Sequence, residues 1–254
     1  MSKPMVVLDD LPVYLINIDR AAARRELLEK QAADLGIELE RVAGVDGKAI
    51  PEADWVAVDK PLFLRRNGRP LMPGEYGCYK SHLKAFERLI ESGKPAALVI
   101  EDDISLSHDL LERAKSVAMT VPKECVVKLV NHRTQGFRPL FTTAKGDAVG
   151  FARLGPQGSA ACYLLTAEAA RHLVQRLKVQ SLPFDMALER SWDHGIPVLT
   201  MRHSLVDFGA LRFDTFIASR ADYRSHKLKG LAKLPTHIFR LREMVKRALH
   251  PLFL

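Results

Sequence analysis

Three consecutive acids, Glu101, Asp102 and Asp103, follow directly on the apolar run Ala96–Ile100. A short run of that kind fits a buried strand. Side chains alternate along a strand, so Glu101 and Asp103 are expected on one face and Asp102 on the other. Open α/β sheets bind ligands just beyond the carboxyl ends of their strands. Two carboxylates there suit a hard divalent cation, Mg²⁺ or Mn²⁺, with coordination positions left for phosphate oxygens. The plainer reading is that the acids favour the N-terminus of a following helix.

Other polar residues fall at similar places. Asn17 and Arg20 close the apolar stretch Pro12–Ile18, and Asn131 and Arg133 follow the stretch Cys125–Val130. Either set could bind substrate or simply form a turn. Glu75, Ser81 and His82 belong to one amphipathic segment. There Glu75 suits the helix N-terminus or could contact substrate, and His82 flanks the apolar stripe as a core histidine would. Asp185 lies in LPFDMALERSW at a helix start, where an N-cap competes with a role as general base.

The elements that would position these residues follow from periodicity and punctuation. Pro12–Ile18 reads as a strand, Asp19 to Leu35 as a helix that Gly36 stops, and Ile37–Val45 as a second strand. That β-α-β order is the α/β signature. Prolines at 51, 61, 70 and 73 deny a long helix over 46–74, and Asn67-Gly68 marks a turn. Tyr79, Leu83, Phe86 and Ile90 share one face of a helix from Glu75 to Ser92. A helix near 108–119 and the strand Cys125–Val130 come next. A Gly- and Thr-rich stretch to Gly158 suggests hairpins or loops. Strand Ala160–Thr166, helix Ala167–Leu177, helix Phe184–Asp193 and strand Ile196–Arg202 complete the body.

The chain has 254 residues, 47% of them hydrophobic and 27% charged, which excludes collagen-like, disordered and disulfide-scaffold classes. Its formal net charge is +8. Residues 226–254 hold seven of the basic residues against one acid, Glu243, so most of the excess lies there. The other 225 residues are nearly neutral, which argues against a nucleic-acid binder. Cys78, Cys125 and Cys162 have no metal-ligand or redox spacing and read as free thiols. The first residues lack a charged-then-apolar signal pattern, and no apolar run approaches the roughly 18 residues of a membrane span.

Four segments, in order, resemble glycosyltransferase family 25, the bacterial lipooligosaccharide glycosyltransferases related to collagen galactosyltransferase domains. They are VYLINIDRAAARR (Val13–Arg25), GEYGCYKSH (Gly74–His82), LVIEDD (Leu98–Asp103), and AACYLLTAEAARHL (Ala160–Leu173) followed by PFD (Pro183–Asp185). Tyr76 departs from the aliphatic residue usual there, and residues 104–157 and those after 195 match weakly or not at all. The resemblance implies an α/β, GT-A-like single domain over 1–225, with a mixed, mostly parallel central sheet flanked by helices. It implies inverting transfer of galactose or glucose from a UDP-sugar to a saccharide or glycolipid acceptor of a bacterial lipopolysaccharide. It assigns the Mn²⁺ or Mg²⁺ to Asp103 with Glu101 or Asp102, and the general base to Asp185. Asn17 and Arg20 would lie near the uracil or ribose, and Ser81 and His82 near the cleft. Asn131 and Arg133 would reach the phosphates or acceptor, with His203 or Asp207 as a late metal ligand. Cys78 would pack.

Residues 226–254 form a separate basic tail. Ile238, Leu241, Val245, Ala248, Leu249 and Leu252 are expected on one helix face, and Arg240, Arg242, Lys246, Arg247 and His250 mostly on the other. Such a helix suits an anionic membrane surface or, failing that, docking on the body. With the resemblance, it points to an enzyme on the cytoplasmic face of an inner membrane. A sugar nucleotidyltransferase would favour a Gly-rich phosphate loop, absent from INIDRAAARR. A non-catalytic GT-A-like protein that binds a glycan or membrane would have less use for Glu101, Asp102, Asp103 and Asp185.

Overall fold

Every residue of Val13–Asn17 is buried, and this strand, β1, lies one strand in from an edge of the main sheet. The computed structural model describes residues 10–209 and 226–250. The boundary drawn at residue 225 and Leu252 of the closing PLFL lie outside them. After β1 a short 3-10 turn leads into α1 (Ala22–Asp34), which Gly36 ends in a left-handed conformation. Strand β2 (Leu39–Ala43) returns parallel to β1. The proline-rich stretch holds a 3-10 turn at Glu52–Asp54 and the eight-residue α2 (Lys60–Asn67), capped by Asp59 and closed by left-handed Gly68. Helix α3 (Pro73–Ser92) carries the GEYGCYKSH block in its first turns and feeds β3 (Ala96–Glu101).

Beyond β3 come β4 (Ile104–Ser105), α4 (Leu110–Thr120) and β5 (Val126–Lys128). The Gly- and Thr-rich stretch is a hairpin of β6 (Phe137–Thr142) and β7 (Ala148–Ala152). Then follow β8 (Cys162–Thr166), α5 (Ala167–Arg176), α6 (Phe184–Leu188), α7 (Ser191–His194), β9 (Val198–Met201) and β10 (Asp207–Phe208). One continuous helix over 184–193 is thus replaced by two short ones. Arg190 between them has ψ of 59°, outside the helical range. Arg190 alone leaves the helical path and pairs with Glu243, while Glu189 closes α6 in a helical conformation and pairs with buried Lys128.

The main sheet has eight strands in the order β2-β1-β3-β8-β5-β9-β7-β6. From the pairings, β7 and β8 run against the other six strands, so the sheet is mixed but mostly of one direction. Its two faces bury separate clusters. One holds Leu15, Leu98 and Val127 against α1 and α4, and the other holds Tyr14, Val99 and Leu165 against α3 and α5. That double-sided burial explains why β3 reads as a continuous apolar run. No helix among the described residues is long and apolar enough to cross a membrane.

The C-terminal helix α8 (Leu234–Leu249) packs on this body. Thr236 Oγ1 donates to the Arg65 carbonyl at 2.9 Å, and Arg153 donates to the Ala248 carbonyl at 3.2 Å. Glu243 accepts from Arg190 at 2.7 Å, and Arg247 pairs with Glu189 at 2.9 Å. Arg66 and Arg190 both lie over the Phe239 ring.

Candidate active site

The parallel trio β2, β1 and β3 ends on one edge, and a cleft of about 670 Å³ opens there. It is lined by Asn17, Arg20 and Arg24 after β1, and by Val45, Asp46 and Gly47 after β2. Gly74, Cys78, Ser81 and His82 of α3 and the acids Glu101, Asp102 and Asp103 complete it. The alternation expected of the three acids does not hold. Strand β3 stops at Glu101 and the chain turns at Asp102 and Asp103, so all three line the same cleft.

Each acid has a different environment. Asp102 accepts from Asn17 Nδ2 at 2.6 Å and pairs with Arg24 at 3.1 Å, while burial raises its pKa. Glu101 meets His82 Nε2 at 3.0 Å, and His82 Nδ1 meets the Tyr163 hydroxyl at 2.9 Å. An ionised carboxylate can only accept, so Nε2 carries the proton and Nδ1 accepts from Tyr163 when the ring is neutral. The His82 ring stacks on Phe184 at 3.9 Å and is locked on both edges and one face. Asp103 is the least compensated. Its Oδ2 lies 3.7 Å from Arg24, and its buried Oδ1 has no hydrogen-bond partner. Burial, then the charge of Glu101, pushes its pKa to about 7, and Arg24 only partly opposes this.

A buried strand end with more anionic charge than its side-chain cations balance suits a hard divalent cation. The open Oδ1 of Asp103, with Glu101 beside it, supplies the oxygen donors such an ion takes. Cys78, His82 and Glu101 also bring one ligand atom each within 4.8 Å of one another. Burial and the charge of Glu101 hold the Cys78 thiol well above its ordinary pKa, and both His82 nitrogens are engaged. The softer donor set is thus the poorer fit.

The loop after β2 is held on α3 by close backbone approach. A Cβ on Gly77 would lie 2.2 Å from the Val45 carbonyl oxygen, and one on Gly47 would lie 1.9 Å from that of Pro73. Ser81 Oγ accepts from Val45 N at 2.8 Å and donates to the Gly77 carbonyl at 2.7 Å. Thus Ser81 lines the cleft while latching its wall. Asp46, at the loop's tip, accepts from Arg20 at 2.5 Å.

The remaining candidates lie elsewhere. Glu75 is buried and does not line the cleft. Its carboxylate accepts from Arg69 at 2.5 and 2.6 Å and from Met72 N at 3.1 Å, which caps α3. Asp185 is half-buried at the start of α6, directly after Phe184. Its Oδ1 accepts from Met186 N at 2.8 Å, and burial, then Glu189, raises its pKa. Asn131 donates to Thr200 Oγ1 at 2.5 Å, and Arg133 is exposed. His203 and Asp207 are exposed, with Asp207 in β10 opposite Ser105 of β4. Arg24, Asp46 and Tyr163 had not been singled out. Arg24 stands four residues after Arg20, one helical turn on, and Asp46 lies just beyond β2 as Arg20 lies just beyond β1, so both carried a usable signal.

The sheet order, the two helical layers and a charged cleft at the strand ends define a GT-A-like α/β protein. The sequence profile of "Glycosyltransferase family 25 (LPS biosynthesis protein)" matches residues 10–188. The chain belongs to that family. A glycosyltransferase 25 family member of Anopheles gambiae is 33% identical over 111 residues, 41% of this chain and 18% of its own. Human procollagen galactosyltransferase 2 is 30% identical over 40% of this chain and 17% of its own. Procollagen galactosyltransferase 1-B of Xenopus laevis is 26% identical over 89% of this chain and 36% of its own. The aligned part of this chain thus spans under two-fifths of each of these relatives.

Proposed function

We propose that the protein is an inverting glycosyltransferase that moves a hexose, galactose or glucose, from a UDP-sugar to a saccharide acceptor of a bacterial lipopolysaccharide or lipooligosaccharide. The observation that carries this reading is the Asp103 carboxylate just past the end of β3, whose buried Oδ1 has no hydrogen-bond partner, inside a cleft on the carboxyl edge of parallel strands. Family membership supports the transfer, and the procollagen galactosyltransferase relatives support galactose.

On this reading Asp103 and Glu101 would hold Mn²⁺ or Mg²⁺. When bound there, the ion would supply positive charge against that of the departing diphosphate. The chain's own residues do the rest. Arg24 holds Asp102 in place, and Arg20 holds the Asp46 loop that would close over the nucleoside. His82, fixed by Tyr163 and Phe184, aims the Glu101 carboxylate. Inversion requires a base on the acceptor side, opposite the diphosphate. Asp185 is assigned that role, and its raised pKa favours taking a proton from the attacking hydroxyl.

The test is release of UDP from UDP-galactose, UDP-glucose and their N-acetyl forms, with and without Mn²⁺. Metal-dependent release that Asp103→Ala removes is expected; unchanged release in that variant refutes the metal assignment. Asp185→Asn should keep donor binding and lose transfer, and normal transfer would remove it as the base.

A further inference from the structure

Helix α8 is mounted the opposite way from an ordinary surface helix. Leu234, Ile238, Leu241, Val245 and Leu249 recur at helical spacing, and at about 100° per residue they fall within roughly 80° of arc. In a globular domain that stripe turns to the core. Here all five are exposed, between 45% and 57%, and Leu231 just before the helix is 89% exposed. The face that meets the body is instead largely polar, with Thr236, Glu243 and Arg247 bonded to Arg65, Arg190 and Glu189. These bonds fix the orientation, so the apolar stripe cannot roll inward without breaking buried ion pairs.

The charges around the stripe share one sign. Arg240, Arg242 and Lys246 flank it in solvent, and Lys227 and Lys229 precede the helix. The helix's acid, Glu243, is turned inward and paired with Arg190. An apolar stripe between cations complements a surface of acyl chains under anionic headgroups. A second copy of the chain would bring the same cations against these and be repelled.

We propose that the outward face of α8 is a docking surface for an anionic phospholipid bilayer. The stripe enters the headgroup boundary and the flanking cations meet lipid phosphates, while the buried polar face keeps the enzyme body rigidly attached. This goes beyond the catalytic reading and does not depend on it.

Flotation of the full chain with phosphatidylglycerol-containing vesicles and with pure phosphatidylcholine vesicles tests it. Binding to the anionic vesicles, lost in high salt, is expected. The double variant Leu241→Glu/Val245→Glu should partition at least about tenfold more weakly with an unchanged melting temperature. Should that variant fold poorly, Arg242→Glu/Lys246→Glu alters only solvent-facing charges and should weaken binding by a similar factor. Equal flotation with both vesicle types, or undiminished flotation of either variant, would overturn the proposal. So would a wild-type dimer in light scattering that Leu241→Glu/Val245→Glu converts to a monomer, because the stripe would then belong to a second copy.

Discussion

Two clusters of charged groups in the protein are built on opposite terms. At the end of β3 three carboxylates share one cleft, Arg24 serves two of them, and Asp103 keeps an oxygen without a partner. Between β5, α6 and α8 lies a second cluster, in which Glu189 is fully enclosed. It accepts from Lys128 at 2.6 Å, from Gln157 N and Gly158 N at 3.0 Å, and pairs with Arg247 at 2.9 Å. Its pKa is lowered: burial, the largest influence, is overcome by Lys128 and Arg247 together. Charge buried in a protein is therefore no mark of function by itself. Charge buried and left unbalanced is, because folding alone gives no reason to keep it.

That contrast can be broken by measurement. The largest effect is expected in the balanced cluster. Glu189→Gln strands the wholly buried Lys128 ammonium and should cost about 3–5 kcal/mol in urea unfolding; a loss below about 1 kcal/mol would mean the cluster is not held by charge. In the cleft the sign reverses. Asp103→Ala should lower metal-dependent UDP-hexose turnover by roughly 10²- to 10³-fold without destabilising the fold. The pH dependence follows from the raised pKa. Below 3.8 Asp103 is neutral folded and unfolded; between 3.8 and about 7 the unfolded chain ionises first, and stability falls. Asp103→Asn should thus be more stable than wild type at pH 8 and no more stable at pH 3, by thermal melts without metal. Stability equal to wild type at pH 8 would show that the charge is compensated after all.

Smaller effects sharpen the picture of the cleft wall. Gly77→Ala drives a methyl into the Val45 carbonyl and should cost about 1–3 kcal/mol, with weaker UDP binding by calorimetry because the Asp46 loop lifts. Unaltered affinity would detach that loop from the nucleotide. Tyr163→Phe removes a single hydroxyl from buried His82 and should cost about 1 kcal/mol. It should also shift the pH profile of turnover, which a merely structural hydroxyl would leave in place.

Much of the frame was legible in the sequence because strands β1, β3 and β8 are buried on both faces and helix α3 on one, so their patterns are unmixed. The acidic triplet was legible as a site, but its geometry was not. Alternation holds only while the strand lasts, and β3 ends at the first of the three acids. Glu75 carried two meanings, and Arg69, a residue of an irregular stretch, settles its position at a helix cap. The balanced cluster was invisible. Lys128 sits in the strand CVVKLV as a solvent-facing lysine would, and its partners Gly158 and Glu189 stand 30 and 61 positions away. Pairings at that range leave no periodic trace. The C-terminal helix was legible as amphipathic, yet periodicity cannot say which face meets the body.

The clasp between Arg247 and Glu189 has a consequence for how the chain is made. Residue 189 leaves the ribosome well before residue 247, at about 5–20 residues per second. For those seconds Glu189 has Lys128 and the Gln157 and Gly158 amides but not Arg247, and Arg190 has Asp193 but not Glu243. Helix α8 therefore acts as a latch. It closes the charge balance of a core that the earlier residues have already folded, and it sets the outward stripe in place only once that core exists to receive it.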